Sequence, residues 1–283
     1  MKALEGTAVI VTGAGLGLGR AYAVEAAVQG ASVLVNDVDP ETVATVVAEI
    51  ESAGGTAVGC NASVADWDEA AHIVRVCRDE FGSVDGLVNN AGIFEPGEPW
   101  EQEPDAVRRM IDVNLFGTIA VGTHALVEMI DQGSGSIINT TSVAQMGLSS
   151  TAVYSATKGA VSSLTYSWAI DLVGHGIRVN AISPSASTRQ TDNSPNPIIP
   201  PPPRPVDNAP AVIYLLSDFS VGVTGQVIQR RGDKFIVNAH PRMTAAEVAR
   251  DTWSLEEFVE HFDPVLRNGI QPVGYPPGAY QMS

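Results

Sequence analysis

Tyr154 and Lys158 stand four residues apart in the segment TAVYSATKGA. On a helix that spacing sets one side chain above the other. An ammonium there favours the phenolate and draws a donor with an ordinary pKa of about 10 toward neutrality, which makes the tyrosine a general acid or base. The chain holds three lysines and six tyrosines, so a chance match is uncommon, yet a surface Tyr and Lys on an amphipathic helix would read the same.

A glycine-rich turn supplies the second piece of chemistry. Thr12-Gly13-Ala14-Gly15-Leu16-Gly17-Leu18-Gly19-Arg20 follows the apolar run TAVIV and opens a helical pattern. Glycine lets the backbone turn sharply and approach a pyrophosphate, whose charge is favoured at a helix N-terminus. Gly13, Gly15, Leu16, Gly17, Leu18 and Gly19 are the candidate contacts, in the spacing GxxxGxG rather than the more general dinucleotide fingerprint GxGxxG; the plainer reading is a tight turn alone. The next apolar run ends at Asn36-Asp37. A carboxylate at that point can accept hydrogen bonds from an adenosine ribose and repels a 2′-phosphate. No basic residue lies between Gly13 and Gly19, and Arg20 is expected to face into the helix, so NAD is favoured over NADP. The alternative for Asp37 is a loop or cap carboxylate.

These groups need a frame. Short apolar runs alternate with helical patterns: TAVIVTG, a helix from about Leu18 to Gln29, ASVLVND, a helix from about Pro40 to Ala53, then GTAVGC, DGLVNNAG, GSIINTTS and IRVNAISP. Near-continuous Val, Ile and Leu strands alternating with helices predict an α/β fold, a doubly wound parallel sheet of Rossmann-like type covered on both faces. Residues 1–231 are expected to form a single dinucleotide-binding and catalytic domain, with 232–283 a short C-terminal helical extension packed on it. The run SPNPIIPPPPRP, 194–205, cannot enter a central strand or helix interior and reads as a polyproline-like loop, either a rigid connection or a shortened substrate lid. In the tail, Thr244 with Glu247 and Ser254 with Glu257 have capping-box spacing.

Composition narrows the partners. The 283 residues are 45% hydrophobic, enough for a large core, and carry 32 acidic against 16 basic side chains, a formal charge of −16. That balance repels phosphate backbones and anionic headgroups, so neither nucleic acid nor a membrane surface is expected as a partner. Cys60 and Cys77 have no metal-ligand spacing and are too few for a disulfide framework. No metal is expected, and a reducing cytoplasm fits best. No basic n-region precedes an apolar stretch, and the uncharged run 6–19 is too short and glycine-rich to span a bilayer, so a soluble, unprocessed chain is expected. The scattered His72, His124, His175, His240 and His261 receive no role.

TGxxxGxG from Thr12 to Gly19, Asn89-Asn90-Ala91-Gly92, Asn114 in VNLFGT, Ser142 in NTTS and YxxxK from Tyr154 to Lys158 together resemble the short-chain dehydrogenase/reductase family, in order over residues 1 to about 228. The resemblance implies that Tyr154 exchanges a proton with the substrate oxygen. Lys158 would lower its pKa and hold the nicotinamide ribose, and Ser142 would bond the same substrate oxygen, with Thr141 as a competing hydroxyl. Asn114 would hold a water linking Lys158 to solvent, unless it only bonds neighbouring backbone. Asn90, Ala91 and Gly92 would floor the cofactor site, Asn61, Ala62 and Ser63 would lie by the adenine, and Pro184 and Thr188 by the nicotinamide. Phe94, Trp100, Gln145, Met146 and Leu148 would line the substrate pocket. The helices around Asp105–Ile130 and Thr151–Val173 carry broad apolar faces, and in the resembling family such helices build dimers or tetramers, so a homodimer or homotetramer is expected.

A narrower likeness rests on softer motifs: AYAVEAA before VLVNDVD, SPSASTRQT, VDNAPAVIYLLSD, and VTGQVIQRRGDKF with HPRMTAAEVARDTW. These are similar to the 3-hydroxyacyl-CoA dehydrogenase module of multifunctional β-oxidation enzymes and its stand-alone bacterial relatives. That implies a 3-hydroxyacyl thioester as substrate, with Arg189, Arg204, Arg230 and Arg231 available to the CoA end. A general ketone, steroid or polyol dehydrogenase is the alternative, and a non-catalytic nucleotide-sensing scaffold the third. Two departures stand out: Pro184-Ser185 where the family usually has Pro-Gly, and Cys60-Asn61-Ala62-Ser63 without the expected adenine-contacting Asp.

Overall fold

The computed structural model describes residues 2–186, 203–243, 245–247, 249, 252–262 and 265–269. Strands β1 (Ala8–Val11), β2 (Ser32–Asp37), β3 (Thr56–Asn61), β4 (Gly86–Asn89), β5 (Gly135–Thr140), β6 (Ile177–Ser183), β7 (Val227–Arg231) and β8 (Lys234–Val237) form one sheet in the order β3-β2-β1-β4-β5-β6-β7-β8. All neighbours pair in parallel except β7 with β8. This is the predicted doubly wound sheet. Its order reverses between β1 and β4, the switch point at which such sheets form a ligand crevice beyond the strands' carboxyl ends.

The strands are apolar on both sides because helices cover both. Val9, Val11, Val33, Val35, Val88, Ile138 and Ile182 pack into one layer with α1 (Gly17–Val28), α2 (Pro40–Ser52) and α7 (Ala209–Leu216). Ile10, Leu34, Leu87, Ile137 and Val179 pack into the other with α3 (Trp67–Phe81), α5 (Gly117–Gln132) and α6 (Ala152–Asp171). Burying each such side chain contributes about 1.5–3 kcal/mol. The helix starts follow their side chains: Asp39 caps α2 through the Glu41 N–H, and Asp66 caps α3 through Asp68 and Glu69.

Helix α4 (Pro104–Ile111) runs into α5 through a π-helical turn, Asp112–Phe116, that carries Asn114. The Thr118 hydroxyl donates to the Asn114 carbonyl at 2.9 Å, satisfying a group on the wide turn. The stretch Pro104–Gln132 is long and apolar enough in composition to cross a bilayer. Its Ala120, Val121, Ala125 and Met129 are core residues against the sheet, while Ile111, Val127 and Ile130 stay exposed on the other side.

β8 has no counterpart in the predicted elements. Gly232-Asp233 turns the chain between Arg231 and Lys234, with Gly232 at φ +58°, which glycine adopts freely. A two-residue Gly-Asp link between strand-forming runs is a hairpin signal, hidden here by the three charges around it. Beyond β8, the His240 ring lies 4.5 Å from the Tyr166 ring of α6. Ser254 and Glu257 form both bonds of the predicted capping box, at 2.9 and 3.2 Å, and start α8 (Leu255–Phe262). Thr188, Arg189, Thr244 and positions 194–202 of the proline run lie outside the described residues.

Candidate active site

The crevice is built first by backbone. The Thr12 hydroxyl accepts from the N–H groups of Asn90 and Ala91 at 3.0 and 3.1 Å, and the Asn90 amide donates to the carbonyls of Thr12 and Gly13 at 3.0 and 3.1 Å. The end of β4 is thereby locked to the turn after β1. A Cβ on Gly19 would stand 2.1 Å from the Gly13 carbonyl, and one on Gly15 would meet Thr42 Oγ1 at 2.3 Å, so the turn closes only with glycine at both positions. Leu16 stands exposed before α1, while Leu18 packs partly buried against the core.

Asp37 holds this turn directly: its Oδ2 accepts from Gly15 N–H at 3.0 Å and its Oδ1 from Val38 N–H at 2.8 Å. The neighbouring Asn36 is buried and donates to the carbonyls of Cys60 and Ala62 at 3.1 and 2.9 Å, which fixes the loop after β3. Asn61 is exposed, with its amide 3.4 Å from the Asp37 carbonyl, and Ser63 caps the next turn through Ala65 N–H. Arg20 departs from its expected position. It points outward and makes a bidentate pair with Glu49 of α2 at 2.6 and 2.8 Å, because a side chain on that face of α1 meets α2 rather than the sheet.

Tyr154, Lys158, Ser142 and Asn114 come together where β4, β5 and α6 converge. Lys158 is 3% exposed, and its ammonium donates to the Thr140 carbonyl at 2.8 Å and sits 5.7 Å from the centroid of the Tyr154 ring. A Cβ on Gly92 would lie 3.5 Å from it, so the β4 end passes close by. Burial lowers the ammonium to about 8. Burial also pushes the Tyr154 phenol above the ordinary tyrosine range, and a hydrogen bond with Ser142 pulls it partly back. In the chain alone burial dominates the phenol, and the ammonium is directed at a carbonyl. Ser142 also caps the turn Val143–Met146, accepting from Ala144 N–H at 3.2 Å. The rival hydroxyl, Thr141, faces away, 2.8 Å from the Lys158 carbonyl and 2.9 Å from Ser162.

Asn114 is fully buried, and its amide is engaged on both sides: it accepts from Ile93 N–H at 2.7 Å and donates to the Ile93 carbonyl at 2.9 Å and to Thr157 at 3.3 Å. Thr157 in turn donates to the Tyr154 carbonyl. The amide expected to hold a water thus ties the loop after β4 to the turn of α6 that carries Tyr154.

On the substrate side, Phe94 meets the Tyr154 ring edge-on, centroids 4.9 Å apart. The Gln145 side-chain oxygen Oε1 accepts from the Ser162 hydroxyl at 2.5 Å while its buried Nε2 has no partner among the described residues. Leu148 is half-buried and Met146 exposed at the rim. Trp100 corrects the expected pocket: at 79% exposure on a polar turn it encloses nothing. Two of the arginines offered to a CoA are already occupied: Arg204 pairs with Asp207 at 2.9 Å, and Arg230 bonds the carbonyls of Asp207 and Gly232 with its guanidinium over Phe235.

A glycine cradle that a Cβ would fill, a carboxylate at the end of β2, and a buried Thr140 hydroxyl without a partner among the described residues all lie at the carboxyl-terminal end of the sheet. These donors and this shape fit a nicotinamide dinucleotide. Residues 7–196 match the family described as short chain dehydrogenase. A cis-4-hydroxycyclohexanecarboxylate dehydrogenase of Sinomonas cyclohexanicum is 37% identical over 77% of this chain and 92% of its own. The crystal structure of a short chain dehydrogenase from Mycobacterium avium superposes with a TM-score of 0.86 at 32% identity, covering 97% and 99% of the two chains. A gluconate 5-dehydrogenase from Burkholderia cenocepacia J2315, solved in complex with NADP and tartrate, gives 0.75 at 31% identity over 81% and 95%.

Proposed function

Because this chain belongs to the short-chain dehydrogenase/reductase family, an oxidoreductase family acting on alcohol and ketone groups with NAD(P), we propose that Tyr154, Lys158, Ser142 and Asn114 carry that reaction here, with NAD preferred. The observation that supports it most is the meeting of a phenol, a hydroxyl and a buried ammonium at the carboxyl ends of β4 and β5. When bound, the nicotinamide accepts or donates hydride at its C4. In oxidation the Tyr154 phenolate takes the hydroxyl proton as the C–H pair leaves as hydride, and in reduction the phenol returns a proton to the new alkoxide. Ser142 donates to the same oxygen and offsets the charge that develops there. Asn114 keeps the α6 turn in place through Thr157.

The NAD preference rests on Asp37, whose carboxylate stands at the end of β2 against the glycine turn, where it would repel a 2′-phosphate, and on Arg20, which is tied to Glu49. For the substrate, the reading is a small secondary alcohol or ketone, placed against Phe94 and Tyr154. The narrower reading, a 3-hydroxyacyl-CoA thioester, rests on the tail motifs and is weakened by the occupied Arg204 and Arg230. Absorbance at 340 nm, followed with NAD and NADP over free secondary alcohols and 3-hydroxyacyl-CoA thioesters, tests all of this. NAD-linked turnover of free alcohols is expected. Turnover confined to thioesters would reverse the substrate choice, NADP preference would reverse the role of Asp37, and no turnover at all would favour a nucleotide-sensing scaffold.

The assembly proposed is a homodimer or homotetramer. A groove lined by Val107, Ile111, Leu115, Val153 and Ala156 runs between α4 and α6, within the stretches 105–130 and 151–173 whose broad apolar faces suggest assembly. Sedimentation is expected to show a species heavier than the 29.6 kDa chain, and monomer alone at micromolar concentration would refute it. Buried free thiols at Cys60 and Cys77 support a reducing compartment, the cytoplasm. Residues 1–231 are taken as one domain, which the described part of 232–283 meets through β8 and His240.

A further inference from the structure

Asn208 ends the short 3₁₀ turn Pro205–Asn208 ahead of α7 and is fully buried, an unusual place for an amide unless it is fully bonded. Its Oδ1 accepts from Ser185 N–H at 3.3 Å and its Nδ2 donates to the Ser185 carbonyl at 3.0 Å, so the side chain pairs with both backbone groups of one residue as a neighbouring strand would. The same Nδ2 lies 3.5 and 3.4 Å from the carbonyls of Arg204 and Pro205. The turn is anchored in its own right, by the Arg204–Asp207 pair and by Arg230 on the Asp207 carbonyl. Ser185 follows the end of β6 at the catalytic end of the sheet. Thr141 N–H bonds the Ile182 carbonyl at 2.8 Å, and the adjacent Thr140 carbonyl receives the Lys158 ammonium. The clasp therefore fixes backbone three residues beyond a strand position that is bonded to the Lys158 site.

We propose that Asn208 is a positioning residue for the nicotinamide end of the crevice, acting through Ser185. The proposal rests on the reading of the crevice as a nicotinamide-dinucleotide site. Pro184 has no N–H and Ser185 lacks the conformational freedom of glycine, so the backbone at Ser185 is held by the two bonds that Asn208 makes. Only an amide of this length offers both donor and acceptor. Leucine matches its shape with neither, and aspartate keeps the acceptor while losing the donor and adding a buried charge. The adenosine end is held elsewhere, by the glycine turn and Asp37, so the two ends of the dinucleotide separate experimentally.

The test compares NADH with ADP-ribose, which has the adenosine and pyrophosphate without the nicotinamide, by calorimetric titration of the full chain. In Asn208→Leu the Kd for NADH is expected to rise about tenfold and that for ADP-ribose to stay within about twofold, the scale of losing a buried hydrogen-bonded pair. Asn208→Asp is expected to shift the same way and carries the test alone if the leucine variant aggregates. Equal weakening of both ligands would assign Asn208 to general stability, and unchanged NADH affinity would deny it any role; either overturns the proposal. A wild-type chain that bound neither ligand would overturn the dinucleotide reading itself, and the clasp's role with it.

Discussion

Tyr154→Phe is expected to lower kcat by about 10²- to 10⁴-fold, the range for removing a general acid or base, while NADH still binds. The substitution leaves the ring, its edge contact with Phe94 at 4.9 Å and the α6 backbone in place, and takes away only the hydroxyl that pairs with Ser142. Ser142 keeps its bond with Ala144 N–H, so the strand-end turn should hold. The pH dependence sharpens the expectation. Burial raises the phenol, so near neutrality it is protonated and ready to donate in reduction, whereas oxidation draws on the scarce phenolate and should quicken as pH rises toward the raised pKa. The residual rate of the Phe variant should lose that slope. A variant with wild-type turnover, or one with the same pH profile at a lower rate, would remove Tyr154 from the proton step.

Much of this site could be read before any fold was known, because its chemistry is carried by local patterns. The four-residue spacing from Tyr154 to Lys158 makes a helix face, and the glycines after TAVIV make a close-approach turn. What stayed hidden depends on contacts between distant segments. Asp37 showed as a carboxylate at a strand end, but its bond to Gly15 N–H, 22 residues away, needs the β1–β2 pairing to exist. Asn208 lies in the segment VDNAPAVIYLLSD, but nothing local marks its side chain, since its partner Ser185 is 23 residues off. Thr12 sits inside the glycine motif, and its hydroxyl's part in holding β4 could have been suspected from that position alone. Trp100 was misplaced for the opposite reason: an aromatic residue near the site in sequence suggests a pocket wall, while the turn that carries it points the ring to solvent. The direction of a buried charge was equally out of reach, for the Lys158 ammonium is aimed by the Thr140 carbonyl, a group every residue has.

Lys158→Met should abolish most activity and at the same time report on that buried charge through stability. Methionine keeps the length and loses the ammonium, leaving the Thr140 carbonyl without its donor, a cost of about 1–3 kcal/mol that does not vary with pH. The titration does vary. Folding lowers the lysine from 10.5 to about 8, so between those values the unfolded chain binds the proton that the folded chain releases. Unfolding free energy then rises with pH across that window: the stability is fully present above the unfolded value and is lost as pH falls through the folded one. Tyr154 acts in the opposite sense only above 10, where the unfolded phenol begins to ionise while the buried one holds its proton, so pH 7.5 to 10 is the clean interval. Urea unfolding of the two proteins is expected to show wild type gaining on the methionine variant as pH is raised through it. A stability difference independent of pH would mean that the ammonium keeps its charge in the folded state up to the ordinary lysine range, held by the Thr140 carbonyl strongly enough to offset its burial. In that case Lys158 would act as a permanent cation beside Tyr154, and the loss of activity in the variant would be read as the loss of its field and of its hold on the ribose rather than of a titrating group.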